Sequence, residues 1–214
     1  MKVDKNSMKL YAVTDRTWLG ENSLDDQVEK AIRAGATFIQ LREKHLPYDE
    51  FVKAAYEIKA VTDKYKIPFV INDNAEVAIE VDADGIHVGQ KDMEAENVRK
   101  LIGENKILGV SVHTVEQALR AEKMGADYIG VGAVFTTATK EDANNISLET
   151  VKKICNSVTI PVVAIGGINK NNIMDLAGSG VDGVAVISAI FAQPDIEMAV
   201  GELIELSNKM TAAL

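Results

Sequence analysis

Phe69-Val70-Ile71-Asn72-Asp73, then Asn74-Ala75-Glu76-Val77-Ala78-Ile79-Glu80 in helical phase, then Asp84-Gly85-Ile86-His87-Val88-Gly89-Gln90-Lys91-Asp92, is the stretch on which the fold turns. It reads as strand, helix, strand, with polar residues just past the C-terminal end of each strand. Strands joined through a helix run parallel, which sets those two ends side by side. Asp73 and Asp92 therefore converge. Two carboxylates with Asn72 and Gln90 beside them suit a hard cation such as Mg2+, which takes oxygen ligands and keeps part of its water. Ordinary loop acids and helix caps give the same letters, and the stretch alone leaves both readings open.

The same alternation runs along the whole chain. Short apolar runs predict strands over Leu10–Val13, Phe38–Leu41, Phe69–Ile71, Gly85–Val88, Ile107–Val110, Tyr128–Val131, Val162–Ile165 and Gly183–Ile187, with helices between them. Ser23, Thr114, Ser147 and Asp195 stand where helix N-caps belong, and Pro47-Tyr48-Asp49 opens a long helix ending near Tyr65. Strands apolar throughout, separated by helices, make a parallel sheet covered on both faces. Lead-ins repeat as well. Ala34-Gly35-Ala36-Thr37, Val81-Asp82-Ala83-Asp84, Met124-Gly125-Ala126-Asp127 and Ser179-Gly180-Val181-Asp182 precede the even strands. A helix-ending Gly followed by a small residue turns the chain tightly into a strand. Lys9-Leu10, Lys66-Ile67-Pro68, Lys106-Ile107 and Thr159-Ile160-Pro161 precede the odd ones, with each Pro at a strand start where a missing N–H costs least. A two-module unit used four times predicts a single-domain (βα)8 barrel over 1–214, with 1–8 as a flexible lead-in. A doubly wound open sheet is the runner-up.

Bulk properties narrow the function. A chain of 214 residues buries roughly 70% of its unfolded surface, enough for one filled core. Its single cysteine, Cys155, excludes an internal disulfide framework and a cysteine-based zinc site, and its apolar helical phase reads as a small buried hydrophobe. No apolar run reaches the roughly 18 residues of a membrane span, and 1–9 lack a signal-peptide core, so a cytoplasmic protein is expected. The net charge of −9 argues against nucleic acid or an anionic membrane as partner.

Barrel active sites lie at the C-terminal ends of the strands. Those positions hold Thr14-Asp15-Arg16, Gln40-Leu41-Arg42-Glu43-Lys44, Asn72-Asp73, Gln90-Lys91-Asp92, Ser111-Val112-His113, the long segment from Gly132 to Lys140, Gly166-Gly167-Ile168 and Ile187-Ser188-Ala189. Arg42, Lys44 and Lys140, with a cation on Asp73 and Asp92, would neutralise a group as charged as a pyrophosphate. Gly167 and Ser188, after strands seven and eight, stand where barrels bind a single phosphate. His87, inside an apolar strand, reads as a satisfied structural histidine. His113 is a rim residue, His45 has no assigned role, and Glu43 and Lys91 are expected to face solvent. The tyrosines and phenylalanines read as core and rim.

These residues resemble the thiamine-phosphate synthase family. The resemblance runs from Leu10-Tyr11-Ala12-Val13-Thr14-Asp15 to Val186-Ile187-Ser188-Ala189-Ile190. It is carried by Gln40-x-Arg42-x-Lys44, Asn72-Asp73, His87-x-Gly89-Gln90-x-Asp92, Gly109-x-Ser111, Thr137-x-Thr139-Lys140 and Ala164-Ile165-Gly166-Gly167-Ile168. It implies a transferase that joins 4-amino-2-methyl-5-(diphosphooxymethyl)pyrimidine to 4-methyl-5-(2-phosphooxyethyl)thiazole, releasing pyrophosphate and thiamine monophosphate. By resemblance Gln40, Leu41, Arg42, Glu43, Lys44, Asn72, Ser111 and Lys140 bind the pyrimidine pyrophosphate, with Arg42, Lys44, Lys140 and Ser111 as the catalytic set. Asp73 and Asp92 hold Mg2+. Thr137, Ala138, Thr139, Gly167, Ile187 and Ser188 hold the thiazole phosphate. Family members often carry Pro at the positions of Ala133 or Thr136, and this chain does not. The loop from Gly132 to Ile146 is expected to act as a lid. A thiazole tautomerase of the same fold and a non-catalytic phosphate-ligand sensor are the alternatives, and a homo-oligomer is compatible with the sequence.

Overall fold

The computed structural model describes residues 3–90, 95–136 and 146–213. Eight strands close into a parallel barrel in sequence order: β1 (Leu10–Val13), β2 (Phe38–Leu41), β3 (Phe69–Asn72), β4 (Gly85–Val88), β5 (Ile107–Val112), β6 (Tyr128–Gly132), β7 (Val162–Ile165) and β8 (Gly183–Val186). Closure is made by β8 against β1, with Leu10 opposite Val184 and Ala12 opposite Val186. The open-sheet reading therefore falls.

Helices α1 (Leu24–Ala34), α2 (Tyr48–Tyr65), α3 (Ala75–Glu80), α4 (Ala95–Ile102), α5 (Val115–Lys123), α6 (Leu148–Cys155), α7 (Ser188–Phe191) and α8 (Ile196–Ala212) surround it. Ser23, Thr114, Ser147 and Asp195 each accept a backbone N–H three residues on, as N-caps do. Between β7 and β8 the expected helix shrinks to a 3-10 turn, Ile173–Leu176. The side chains of Asn169 and Asn172 there bond nearby backbone, the local competition that disfavours a continuous helix. Cys155 is partly buried in α6, and burial pushes its thiol up to about 12. Among the described residues no helix is long and apolar enough to cross a membrane.

The fourfold lead-in has a structural cause at the bottom of the barrel. Thr37 accepts the Leu10 N–H at 2.9 Å, Asp84 that of Phe69 at 2.8 Å, Asp127 that of Leu108 at 2.8 Å and Asp182 that of Val162 at 2.9 Å. Each unit's second strand thus satisfies an N–H near the start of its first. Three units turn through a glycine at positive φ, Gly35, Gly125 or Gly180, and Asp82 also takes a positive φ, 52°, in the fourth.

The expectation of a flexible lead-in needs correction at Met8. Its side chain is fully buried inside the barrel floor, at the end of a 3-10 turn over Asn6–Met8, and Lys5 lies 2.9 Å from the Asp182 carboxylate. A barrel this small is filled by side chains, and Met8, Tyr11, Phe38, Val70, Ile107, Tyr128 and Val163 fill it. A second, larger apolar layer lies between strands and helices.

Candidate active site

Above that filling the strand ends surround a small cavity of about 40 Å3, open at its mouth. Alternation along each strand decides which side chains line it. At the end of β2, Gln40 and, one residue past the strand, Arg42 face the cavity, whereas Leu41 is fully buried in the outer apolar layer. Leu41 therefore turns its side chain away from the site. Asn72, His87 and Ser111 continue a polar arc over β3, β4 and β5, and Val163, Ile165, Ala185 and Ile187 form an apolar wall on β7 and β8.

Thr14 locks the start of the arc. Its buried hydroxyl accepts the Arg42 N–H at 3.1 Å, and its own N–H donates to the Gln40 carbonyl at 2.9 Å. Lys44 is exposed on the rim. Glu43 does not face solvent as expected. Its side chain is 6% exposed and accepts from Arg16 Nε at 2.5 Å. Burial holds its carboxyl above the usual carboxylate range, and the Arg16 hydrogen bond and charge pull the other way.

Asp73 sits at the mouth with φ 63°, an uncommon conformation for a residue with a Cβ. The Asn72 amide donates to its carboxylate at 2.5 Å, and its N–H donates to the His87 carbonyl at 2.8 Å. The ends of β3 and β4 are thereby tied together, as the opening stretch implied. Asp92 and Lys91 lie outside the described residues, as do Thr137, Ala138, Thr139 and Lys140.

Opposite the polar arc, Gly166 and Gly167 follow β7 with φ 105° and 64°. A Cβ on Gly166 would stand 2.6 Å from Ala133 Cα, and one on Gly167 2.4 Å from the Thr136 carbonyl oxygen. Two backbone bonds join the same segments, from Val134 N–H to Ile165 O and from Phe135 N–H to Gly166 O, both 3.0 Å. The Asn169 and Asn172 amides donate to the Gly167 carbonyl at 3.1 and 2.9 Å. Ser188, exposed, opens the four-residue α7 beside them.

Beneath the cavity runs a side-chain chain that sequence reading did not find. Gln40 Nε2 donates to Tyr11 Oη at 2.5 Å, Tyr11 Oη lies 2.8 Å from Tyr128 Oη, Tyr128 Oη 2.9 Å from His87 Nδ1, and His87 Nε2 2.9 Å from Ser111 Oγ. His87 is a hydrogen-bonded histidine, as expected, yet it also lines the cavity. The available signal for Tyr128 was Gly109 on the neighbouring strand, since glycine in a strand marks close approach by something large. His113 and His45 are exposed, and the His113 N–H donates to Gln117.

The family model described as thiamine monophosphate synthase matches residues 10–190. The thiamine-phosphate synthase of Clostridium tetani is 52% identical over 200 residues, covering 94% of this chain and 96% of the relative. That of Clostridium botulinum strain Eklund 17B is 47% identical over 211 residues, covering 99% of each. A solved thiamine phosphate pyrophosphorylase from Pyrococcus furiosus superposes with a TM-score of 0.88 at 43% identity, covering 96% of this chain and 98% of that one. With the family model, the barrel and the near-complete coverage in agreement, the chain belongs to the thiamine monophosphate synthase family.

Proposed function

We propose that this enzyme condenses 4-amino-2-methyl-5-(diphosphooxymethyl)pyrimidine with 4-methyl-5-(2-phosphooxyethyl)thiazole, giving thiamine monophosphate and pyrophosphate. The observation that supports the reading is a cavity with a polar arc from Gln40 to Ser111 on one side and, on the other, the ends of β7 and β8, which run into the Gly166-Gly167 turn and Ser188. Two phosphorylated partners would meet across it.

The donor chemistry at Asp73 fits Mg2+. Its carboxylate is an exposed oxygen ligand at the mouth, steadied by Asn72, and this ion is commonly held by one or two carboxylates together with substrate phosphates. A dedicated protein cage is not required, and among the described residues none is present. Asp73 and Asp92 would hold the ion, which when bound neutralises charge gathering on the departing pyrophosphate. Arg42 and Lys44 approach the same leaving group from β2, and Lys140 is assigned there too. The thiazole nitrogen already carries a lone pair, so the protein needs no nucleophile of its own. Its task is to hold that nitrogen in line with the pyrimidine methylene, a proximity effect. Gly167, Ile187 and Ser188 would anchor the thiazole phosphate, and Thr137, Ala138 and Thr139 are assigned to it too. A site for two small molecules suits a protein free in the cytoplasm.

Mixing both substrates with Mg2+ and measuring pyrophosphate release tests the reading. Turnover that needs both substrates and the metal is expected. Binding of both ligands without pyrophosphate release would mark a sensor and overturn it.

A further inference from the structure

We propose that the buried chain Gln40–Tyr11–Tyr128–His87–Ser111 has a single hydrogen-bond direction, with Tyr128 and His87 as positioning residues that make the Ser111 hydroxyl a donor to the substrate. The identity of that substrate rests on the condensation reading, whereas the direction does not. The order follows from the Gln40 end. Gln40 Nε2 donates to Tyr11 Oη, so that oxygen is an acceptor at this contact. Tyr11 is 1% exposed, among Val and Phe side chains, and the other polar atom described beside its hydroxyl is Tyr128 Oη at 2.8 Å. The Tyr11 proton therefore goes to Tyr128. In the reverse order the Tyr11 O–H would have no acceptor, and a buried donor without one suffers its whole desolvation penalty.

Tyr128, fully buried, then gives its proton to His87 Nδ1 at 2.9 Å. A neutral imidazole accepting at Nδ1 carries its hydrogen on Nε2. That N–H meets Ser111 Oγ at 2.9 Å. Ser111 Oγ thus has its lone pair engaged from below, and its own proton is directed into the cavity. The backbone of Ser111 is held as well, by Gln90 Nε2 donating to its carbonyl at 2.7 Å. Burial pushes both phenols to titrate well above their ordinary range, which keeps both protons in the chain. The group Ser111 meets is consequently an acceptor, a bare ring nitrogen or a phosphate oxygen, and not an N–H. At a phosphate oxygen of the leaving group such a contact strengthens as negative charge gathers there, so breaking the chain should act on turnover more than on binding.

The test is 15N NMR of the full chain labelled at histidine, with His45 and His113 assigned by replacement with Gln. The imidazole nitrogen shifts report the tautomer directly. His87 is expected as the neutral Nε2–H form at neutral pH. In Tyr128→Phe this single tautomer should be lost, and kcat should fall about tenfold, the effect of one net hydrogen bond, while KM for either substrate moves less than about threefold. An Nδ1–H tautomer in the unmodified protein would reverse the direction and overturn the proposal. Unchanged tautomer and kcat in Tyr128→Phe would overturn the positioning role, with Tyr11→Phe as the second variant should Tyr128→Phe not fold. The NMR result is read on the free protein, so failure of pyrophosphate release would sink the condensation reading and leave the direction standing.

Discussion

Gly109 and Tyr128, register partners on β5 and β6, share one volume: a Cβ on Gly109 would lie 2.2 Å from the Tyr128 ring carbon Cζ and 2.3 Å from its hydroxyl. The missing side chain on one strand is the space in which the other strand's ring reaches His87 and Tyr11.

Gly109→Ala should therefore push the ring aside. Overpacking of a filled core typically costs about 1–3 kcal/mol, and turnover should drop beyond what the remaining folded fraction explains. Urea unfolding and steady-state rates check both. Parental stability would mean that the ring has another place to go.

Arg16→Ala should leave Glu43 buried without its guanidinium. Burial already raises the folded-state pKa of Glu43 above the unfolded value. The folded state therefore holds a proton there that the unfolded state has released, and this group's contribution to stability declines as pH rises from the unfolded toward the folded pKa. Arg16 limits that loss at neutral pH. We expect Arg16→Ala to destabilise by about 1–3 kcal/mol at pH 7. The gap from the parent should narrow as pH falls through the folded Glu43 pKa, because a protonated acid no longer needs the cation. A gap independent of pH would disprove the coupling.

Asp84→Ala and Asp127→Ala remove the same cap from two copies of the repeat. Asp84 is replaced at the cost of one strand N–H, about 1–2 kcal/mol. Asp127 also accepts from Arg99 Nη2 at 2.6 Å, and Arg99 is 9% exposed. Stranding a buried charge typically costs about 3–5 kcal/mol. Both sites lie at the barrel bottom, so kcat should not change while the protein is folded. Equal losses of stability would show that the carbonyls of Gly103, Lys106 and Gly125, which Arg99 also contacts, suffice for it.

Asp73→Asn keeps size and removes one ligand charge. Loss of metal support at the leaving group, roughly 3–5 kcal/mol, corresponds to a rate about 10²–10⁴-fold lower. Binding of the thiazole phosphate alone should survive, because its proposed contacts lie across the cavity. Calorimetry with each ligand, with and without Mg2+, separates the two. Equal weakening of both ligands would undo the division of the site into halves.

The barrel was legible in the sequence because its signals are local. A run of apolar residues makes a covered strand, a capped amphipathic run makes a helix, and Gly35, Gly125 and Gly180 mark the same turn wherever they stand. The four strand-start acceptors, Thr37, Asp84, Asp127 and Asp182, were visible as a repeated letter before their hydrogen bonds were known. The strand-end polar residues, from Gln40 and Arg42 to Ser111 and Gly167, followed from the same reading. Other features depend on closure. Tyr11, His87, Ser111 and Tyr128 sit on β1, β4, β5 and β6, and nothing in their spacing says that their side chains meet. They meet because the β8–β1 register sets the stagger of the whole barrel, and stagger decides which residues share a layer inside it. Glu43 and Met8 are misread for the same reason. Each looks like a surface or terminal residue in its local context, and each is buried by partners distant in sequence, Arg16 in one case and the barrel floor in the other.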